Sequence, residues 1–420
     1  MGEKSKKLES SIFKEISKDA MYYIPAQIIP GLCGFFAIII YTRFLSPAQY
    51  GIYILVLNTI SIVISIGLGW IYNSVLRYHE FYGKNSQLSQ FVSTTYASLF
   101  LVVIILIIVG LVVSFCFFRP VSKFLELIFI VIFTFIGKSL FSYIISMLRA
   151  KRETLKYSIY SILNSLGSIV LPLLFFLCFR PSPESILSGI TLSSFIIIVI
   201  EIKNLWRHLN FHSLSLLIFK KCFSYGFPLV GVAFGSMIIS ISDRYIIQYL
   251  KGSADVGLYA SGYDIVDKSI KIAFSIILAA SYPIIVQQYE QKGSEETKKT
   301  LGRLLNIYIL VFAPIVLIFI TMAPQIARIF LGKEFRDASV IIPWIALGTF
   351  FGGMSQIFAQ WLQLKEKTRI IFFIFLISAI INVDLNCVLI PNYGILGAAI
   401  ATFISYLVCL IFYFRAFCKI

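Results

Sequence analysis

Apolar runs of about twenty residues recur along the whole chain, separated by short polar breaks. Wound as a helix at about 1.5 Å per residue, such a run matches the roughly 30 Å hydrocarbon core of a bilayer. A helix also satisfies its own backbone hydrogen bonds where no water is present to do so. The pattern predicts twelve spans, near residues 21–41, 50–72, 91–117, 124–147, 157–179, 185–202, 223–249, 257–286, 301–322, 338–362, 369–390 and 395–414. The longest plainly polar stretches are the first twenty residues, 203–221 and 287–300, so no soluble domain is expected. The expected fold class is an all-α membrane protein with about twelve transmembrane helices.

Composition agrees with that pattern. A 420-residue chain that is 59% hydrophobic and 13% charged, with mean hydropathy +0.89, lies far outside the range of soluble folds. The net charge of +16 would suggest a nucleic-acid partner in a soluble protein, but its distribution assigns it to topology. With both termini placed in the cytoplasm, the inner segments hold 24 of the 36 basic residues. Eight lie outside: Arg43, Arg119, Lys123, Arg180, Lys251, Arg328, Lys333 and Arg336. That threefold bias over short loops sets the orientation, and attraction to anionic lipid at the inner leaflet adds to it. No nucleic-acid partner is expected. The seven cysteines form no CxxC pair and sit mostly in apolar runs, so neither a disulfide framework nor a metal site is expected. His208 and His212 have i,i+4 ligand spacing, yet with Trp206 and Phe211 they read as an interfacial amphipathic segment. The basic opening lacks a short apolar core with a cleavage site, and the first span is expected to serve as the insertion signal.

The remaining four basic residues, Lys138, Arg244, Lys268 and Lys271, fall within spans. Three of them belong to the stretch Ser240–Lys271, which also carries Asp243, Asp264 and Asp267. A charge at membrane depth costs about 2.5–3.5 kcal/mol on insertion scales, so these groups require an aqueous cavity or mutual pairing. Helix rise places Asp264 roughly 10 Å and Lys271 roughly 20 Å below the turn at Gly257, too deep for an interfacial role at Lys271. One reading makes the six charges the wall of a transport cavity. The other makes them structural, through Asp264–Lys268 and Asp267–Lys271 pairs at i,i+4 spacing. Lys138 lies near the middle of span 4, where snorkelling does not reach an interface, and should face a cavity or a carboxylate. Asp384, on span 11 between Asn382 and Asn386, lies roughly 10 Å from the outer end of its helix; it is either a functional carboxylate or a hydrogen-bonded carboxyl between helices. Asn58, Asn73 and Asn164 read as interhelical hydrogen-bonding residues.

An oriented internal repeat is also legible. Arg43-Phe-Leu leads through a turn to Gly51-Ile-Tyr53, and Arg244-Tyr-Ile leads through a turn to Gly257-Leu-Tyr259. The match sets spans 1–2 against spans 7–8 and divides the chain into two parallel six-span halves. The expected organisation is a basic cytoplasmic segment 1–20, an N-terminal lobe 21–202, a cytoplasmic linker 203–222 and a C-terminal lobe 223–420.

The stretch Arg43 to Tyr53, the pair Ser242-Asp243-Arg244-Tyr with Val256-Gly257-Leu-Tyr259, and Leu385-Asn386 through Leu389-Ile-Pro391-Asn-Tyr393-Gly394-Ile-Leu-Gly397-Ala-Ala-Ile-Ala401-Thr402 resemble one family. It is the polysaccharide transporters, O-antigen flippase type, of the multidrug/oligosaccharidyl-lipid/polysaccharide (MOP) flippase superfamily. The resemblance implies a V-shaped pair of six-helix lobes with alternating access. It implies an undecaprenyl-pyrophosphate-linked oligosaccharide as cargo, flipped from inner to outer leaflet of the bacterial cytoplasmic membrane, with membrane lipid as surroundings. By position it makes Arg43, Arg244, Lys268 and Lys271 cations of a central cavity that meet the pyrophosphate; Lys138 joins them on depth alone. Asp243, Asp264, Asp267 and Asp384 are the candidate ion-coupling carboxylates, with H+ or Na+ as coupling ion and no cofactor. Polysaccharide polymerase and glycosyltransferases are the implied partners of a functional monomer.

Two other functions compete. Export of small cationic drugs, within the same superfamily, would favour an acidic cavity, whereas the charges here are mixed. A membrane polymerase or glycosyltransferase would need positioned acid/base or metal-binding residues and a large outer loop. The longest outer loop runs only from Ala323 to Asp337, and no DxD, HExxH or nucleotide-binding glycine loop occurs, so no enzyme is expected.

Overall fold

The computed structural model describes residues 24–117, 122–206, 210 and 213–419. The basic N-terminal segment, His208 and His212 lie outside the described residues. The chain runs through α1 (Ile24–Phe44), α2 (Pro47–Lys84), α3 (Leu88–Phe117), α4 (Ser122–Ala150), α5 (Thr154–Cys178), α6 (Pro183–Trp206) and α7 (Leu216–Leu250). It continues through α8 (Ser253–Thr321), α9 (Ala323–Phe330), a short 3-10 helix (Lys333–Val340), α10 (Ile342–Leu364) and α11 (Thr368–Lys419). No strand occurs among the described residues.

Two of these helices are twice the length of a span. α8 is 69 residues long and breaks at Gly293 (φ 74°, ψ −170°), while α11 is 52 residues long and breaks at Gly394 (φ 56°, ψ −135°). Both glycines adopt a left-handed backbone that side-chain-bearing residues avoid, which lets the chain turn between successive spans without a loop. With α8 and α11 each counted as two, and the eight-residue α9 left out, the described helices make the twelve expected membrane-length segments. The expected loop between spans 9 and 10 is itself ordered, as α9 and the 3-10 helix.

The chain divides into two compact units. Among the described residues, the first holds 24–33 together with those of 59–231, and the second holds Gly34–Asn58 and 232–419. This differs from a division at the 203–222 linker in two ways. The boundary falls within α7, and the hairpin made by the end of α1 and the start of α2 packs with the C-terminal spans. Backbone contact explains the second difference. A side chain on Gly51 would overlap the Ser253 carbonyl, and one on Gly257 would overlap the Pro47 carbonyl, so the starts of α2 and α8 meet without intervening side chains.

In the first unit, α4, α5 and α6 are joined by side-chain hydrogen bonds. The hydroxyls of Thr134 and Thr191 are 2.6 Å apart, Ser193 donates to the Asn164 carbonyl at 2.9 Å, and Tyr160 donates to Glu201 at 2.7 Å. The Asn164 side chain accepts from Ser193 and Ser194 as well, at 3.2 and 3.3 Å, its expected interhelical role. In the second unit, Gly348 and Gly352 let α10 lie against Phe403 and Tyr406 of α11, the close approach that small residues permit between membrane helices. Phe274 and Phe350 pack on Tyr308 nearby, with ring centroids 4.8 and 5.4 Å away.

Candidate functional site

The charged stretch of the sequence folds within the second unit as a chain of ion pairs. The Arg244 side chain is 6% exposed and lies between two carboxylates: its Nη2 donates to Asp264 Oδ1 at 2.9 Å and its Nη1 is 3.6 Å from Asp243 Oδ1. Asp243 is fully buried, at 0% exposure, and accepts from the Tyr259 hydroxyl and, at 2.8 Å, from the Arg244 amide. The guanidinium also stacks over the Tyr263 ring, 4.8 Å from its centroid, and donates to the Ser240 carbonyl. A buried charge is tolerated when it is paired, and both terminal nitrogens of Arg244 are engaged, while its buried Nε has no hydrogen-bond partner among the described residues.

Beyond this buried pair the chain opens outward. Lys268 approaches Asp264 Oδ2 at 3.7 Å and donates to the Gly34 carbonyl of α1 at 3.2 Å. Lys271 pairs with Asp267 at 2.9 Å, with 47% of its side chain exposed. Both i,i+4 pairs expected under the structural reading are therefore formed, yet the two lysines remain accessible where Arg244 does not. A polar layer adjoins the buried end: Asn386 donates to Asn382 at 3.0 Å, Ser242 donates to Asn382 at 3.3 Å, and the Tyr259 and Thr402 hydroxyls are 3.3 Å apart.

Lys271 lines a cavity of about 520 Å³ wholly inside the second unit, walled by α7, α8, α10 and α11. Gln356, Gln360 and Gln363 project into it from α10, and Tyr308, Tyr406 and Tyr413 contribute aromatic walls. Thr349 and Gln360, 7% and 5% exposed, also line it, and Thr349 Oγ1 and Gln360 Oε1 have no hydrogen-bond partner among the described residues. Buried polar atoms without partners cost about 1–3 kcal/mol each, so such a wall is suited to a hydroxyl-bearing guest or water. Gln356, Gln360 and Gln363 do not stand out in the sequence as charges do. Their i, i+4, i+7 spacing marks one helix face and is the signal that identifies them.

Three candidates stand apart from this group. Arg43, expected among the central cations, is exposed at the end of α1, donates at 3.0 Å to the Ile329 carbonyl and lies beside Arg328, Lys333 and Arg336. Lys138 belongs to the first unit, is half-buried on α4, and forms no hydrogen bond or ion pair among the described residues. Asp384 is exposed, so it is not a carboxyl enclosed between helices. Its neighbours Asn382 and Asn386 are the fully buried members of that run.

This architecture, helical with twelve membrane-length segments among the described residues, is that of a multi-pass membrane protein. Its fold matches the lipid II flippase MurJ in an inward closed conformation, with TM-score 0.75, 15% identity and coverage of 94% of this chain and 87% of that one. It also matches an inward-facing multidrug resistance MATE family transporter, with TM-score 0.64, 16% identity and coverage of 96% and 95%. The chain belongs to the polysaccharide biosynthesis protein family, whose profile matches residues 16–289; the MatE family profile matches residues 228–388. A Haloferax volcanii protein named as a low-salt glycan biosynthesis flippase is 24% identical over 45% of this chain and 40% of its own length. A Shigella flexneri protein named as an O-antigen transporter is 23% identical over 44% of this chain and 43% of its own length. The matched region thus spans less than half of each of these relatives.

Proposed function

We propose that the protein is a flippase that moves an undecaprenyl-diphosphate-linked oligosaccharide, an O-antigen or similar surface-polysaccharide repeat unit, from the inner to the outer leaflet of the bacterial cytoplasmic membrane. The observation that carries this reading is the accessible Lys271 ammonium at a cavity whose buried Thr349 and Gln360 oxygens lack partners. A cation supplies the compensation an anionic phosphate needs on leaving water, and amide and hydroxyl groups suit sugar hydroxyls. Family membership and the names of the relatives support the same cargo class. The lipid tail need not enter the protein, since it can stay in the bilayer while the polar headgroup crosses by alternating access.

The MatE similarity over residues 228–388 favours a second reading, export of a small cationic molecule. The Lys271 ammonium at the cavity wall opposes it, because a cationic guest would meet a like charge. Coupling to an H+ or Na+ gradient, action as a monomer, and work alongside a polymerase and glycosyltransferases complete the proposal.

The test is made in cells lacking the gene. They should lose surface polysaccharide and accumulate lipid-linked repeat units accessible only from the cytoplasmic side, and wild-type protein should restore display. Restoration by Lys271→Ala equal to wild type would remove the cavity from the reading. Normal display in the deletion would remove the cargo.

A further inference from the structure

Four of the eight basic residues assigned to the outer side meet in one place. Arg43 from the end of α1, Arg328 from α9, and Lys333 and Arg336 from the 3-10 helix line a cavity of about 530 Å³ within the second unit. One acidic residue, Glu334, shares the lining, and Asp337 follows next in the chain. All four cations are exposed, and none forms an ion pair among the described residues.

The backbone that carries them is held in place. The Gly332 amide donates to the buried Thr42 hydroxyl at 3.2 Å, and a side chain on Gly332 would overlap the Thr42 carbonyl. Phe335 is fully buried, with its ring 5.6 Å from that of Tyr50, and Phe330 packs on Phe35 at 5.6 Å. Fixed main chain with exposed cationic heads, that of Arg43 oriented by its bond to the Ile329 carbonyl, is a preorganised anion site, in which little ordering entropy is lost on binding. Topology makes the gathering more telling. Positive residues on the outer side work against the orientation signal, and here half of them converge on a single concavity rather than scattering over the outer loops.

We propose that this cavity binds a phosphate or diphosphate ester at the outer membrane surface, where it receives the headgroup of a lipid after translocation. The proposal rests on the inside-positive orientation and deepens the flippase reading. Arg offers paired N–H donors to phosphate oxygens, and three arginines with one lysine match a group carrying two or more negative charges. The same chemistry could come from the diphosphate of the cargo lipid or from an anionic phospholipid of the outer leaflet.

The experiment uses the full-length protein in phosphatidylcholine nanodiscs, titrated with undecaprenyl diphosphate, with inorganic pyrophosphate, and separately with phosphatidylglycerol. The expected result is saturable undecaprenyl diphosphate binding that weakens about tenfold in Arg328→Gln and again in Arg336→Gln, weakens with added salt, and is unchanged in Arg180→Gln, an outer arginine outside the cavity. Loss of pyrophosphate binding in the same variants assigns the site to the diphosphate. Selective loss of phosphatidylglycerol binding assigns it to phospholipid and leaves the phosphate chemistry standing. Equal binding of all three probes by wild type and variants overturns the site. Because binding is read without flux, the site can fail while the flippase reading survives, and display can fail while the site still binds.

Discussion

Gly51 and Gly257, the two glycines of the internal repeat, are in direct contact. A Cβ on Gly51 would lie 3.0 Å from the Gly257 nitrogen, and a Cβ on Gly257 would lie 3.1 Å from the Gly51 nitrogen, with closer overlap at the Ser253 and Pro47 carbonyls. The repeat therefore marks more than resemblance between two hairpins: it marks the surfaces through which they pack. Gly51→Ala and Gly257→Ala should each destabilise the protein by about 1–3 kcal/mol or more, because main chain rather than a flexible side chain must move. Gly83→Ala, with nothing within 4 Å of the added methyl, should melt as wild type. Thermal unfolding of the purified proteins reads the difference, and unchanged melting of Gly51→Ala would show that the two helices do not meet there.

Arg244 and Lys271 should separate in their effects. Arg244→Ala leaves Asp243 and Asp264 without their shared cation in a buried setting, a loss of the order of 3–5 kcal/mol, so folded protein should fall. The double change Asp243→Asn with Arg244→Gln removes both charges and should recover part of that loss. Lys271→Ala, at a half-exposed position, should keep protein abundance and lower polysaccharide display. Membrane abundance beside display measures both, and normal abundance of Arg244→Ala would assign that residue a role other than charge compensation.

Lys138 is half-buried at mid-span without an ion-pair partner among the described residues, a placement that costs about 2.5–3.5 kcal/mol on insertion scales. Replacing it with Leu removes that cost. Lys138→Leu should therefore be at least as abundant and as thermally stable as wild type while transporting less. Full transport activity in the Leu variant would make the lysine dispensable.

Coupling to an ion gradient should depend on Asp384. Asp243, Asp264 and Asp267 are each engaged with a cation, whereas Asp384 is exposed and forms no ion pair among the described residues. An exposed carboxylate can load a proton or Na+ without breaking an existing pair. Asp384→Asn should leave melting unchanged and make flux in reconstituted vesicles insensitive to an ionophore. Flux as ionophore-sensitive as that of wild type would return the question to the paired aspartates.

The spans were legible because the bilayer fixes a helix length that apolar runs follow; among the described residues nine helices are long and apolar enough to cross it, α11 being long enough for two crossings. The ion pairs Asp264–Lys268 and Asp267–Lys271 were legible for a similar reason, since helical spacing alone brings them together. What spacing does not encode is which distant segments meet. Arg43 stands beside Arg328 and Arg336 nearly three hundred residues away, and no local pattern connects them. The glutamines of α10 stayed hidden because an uncharged amide inside a span is ordinarily an interhelical hydrogen-bonding residue, so its presence does not by itself point to a cavity. The partition of Gly34–Asn58 into the second unit likewise depends on backbone contact across about two hundred residues.

That partition has a consequence for biosynthesis. The Gly34–Asn58 hairpin leaves the ribosome early, whereas Ser253–Gly257, its docking partner, emerges about two hundred residues later. At roughly 5–20 residues per second it waits on the order of ten to forty seconds in the membrane before it can dock. A gene fragment that starts at the linker would encode an incomplete C-terminal unit, and co-production of the missing hairpin as a separate peptide should rescue it.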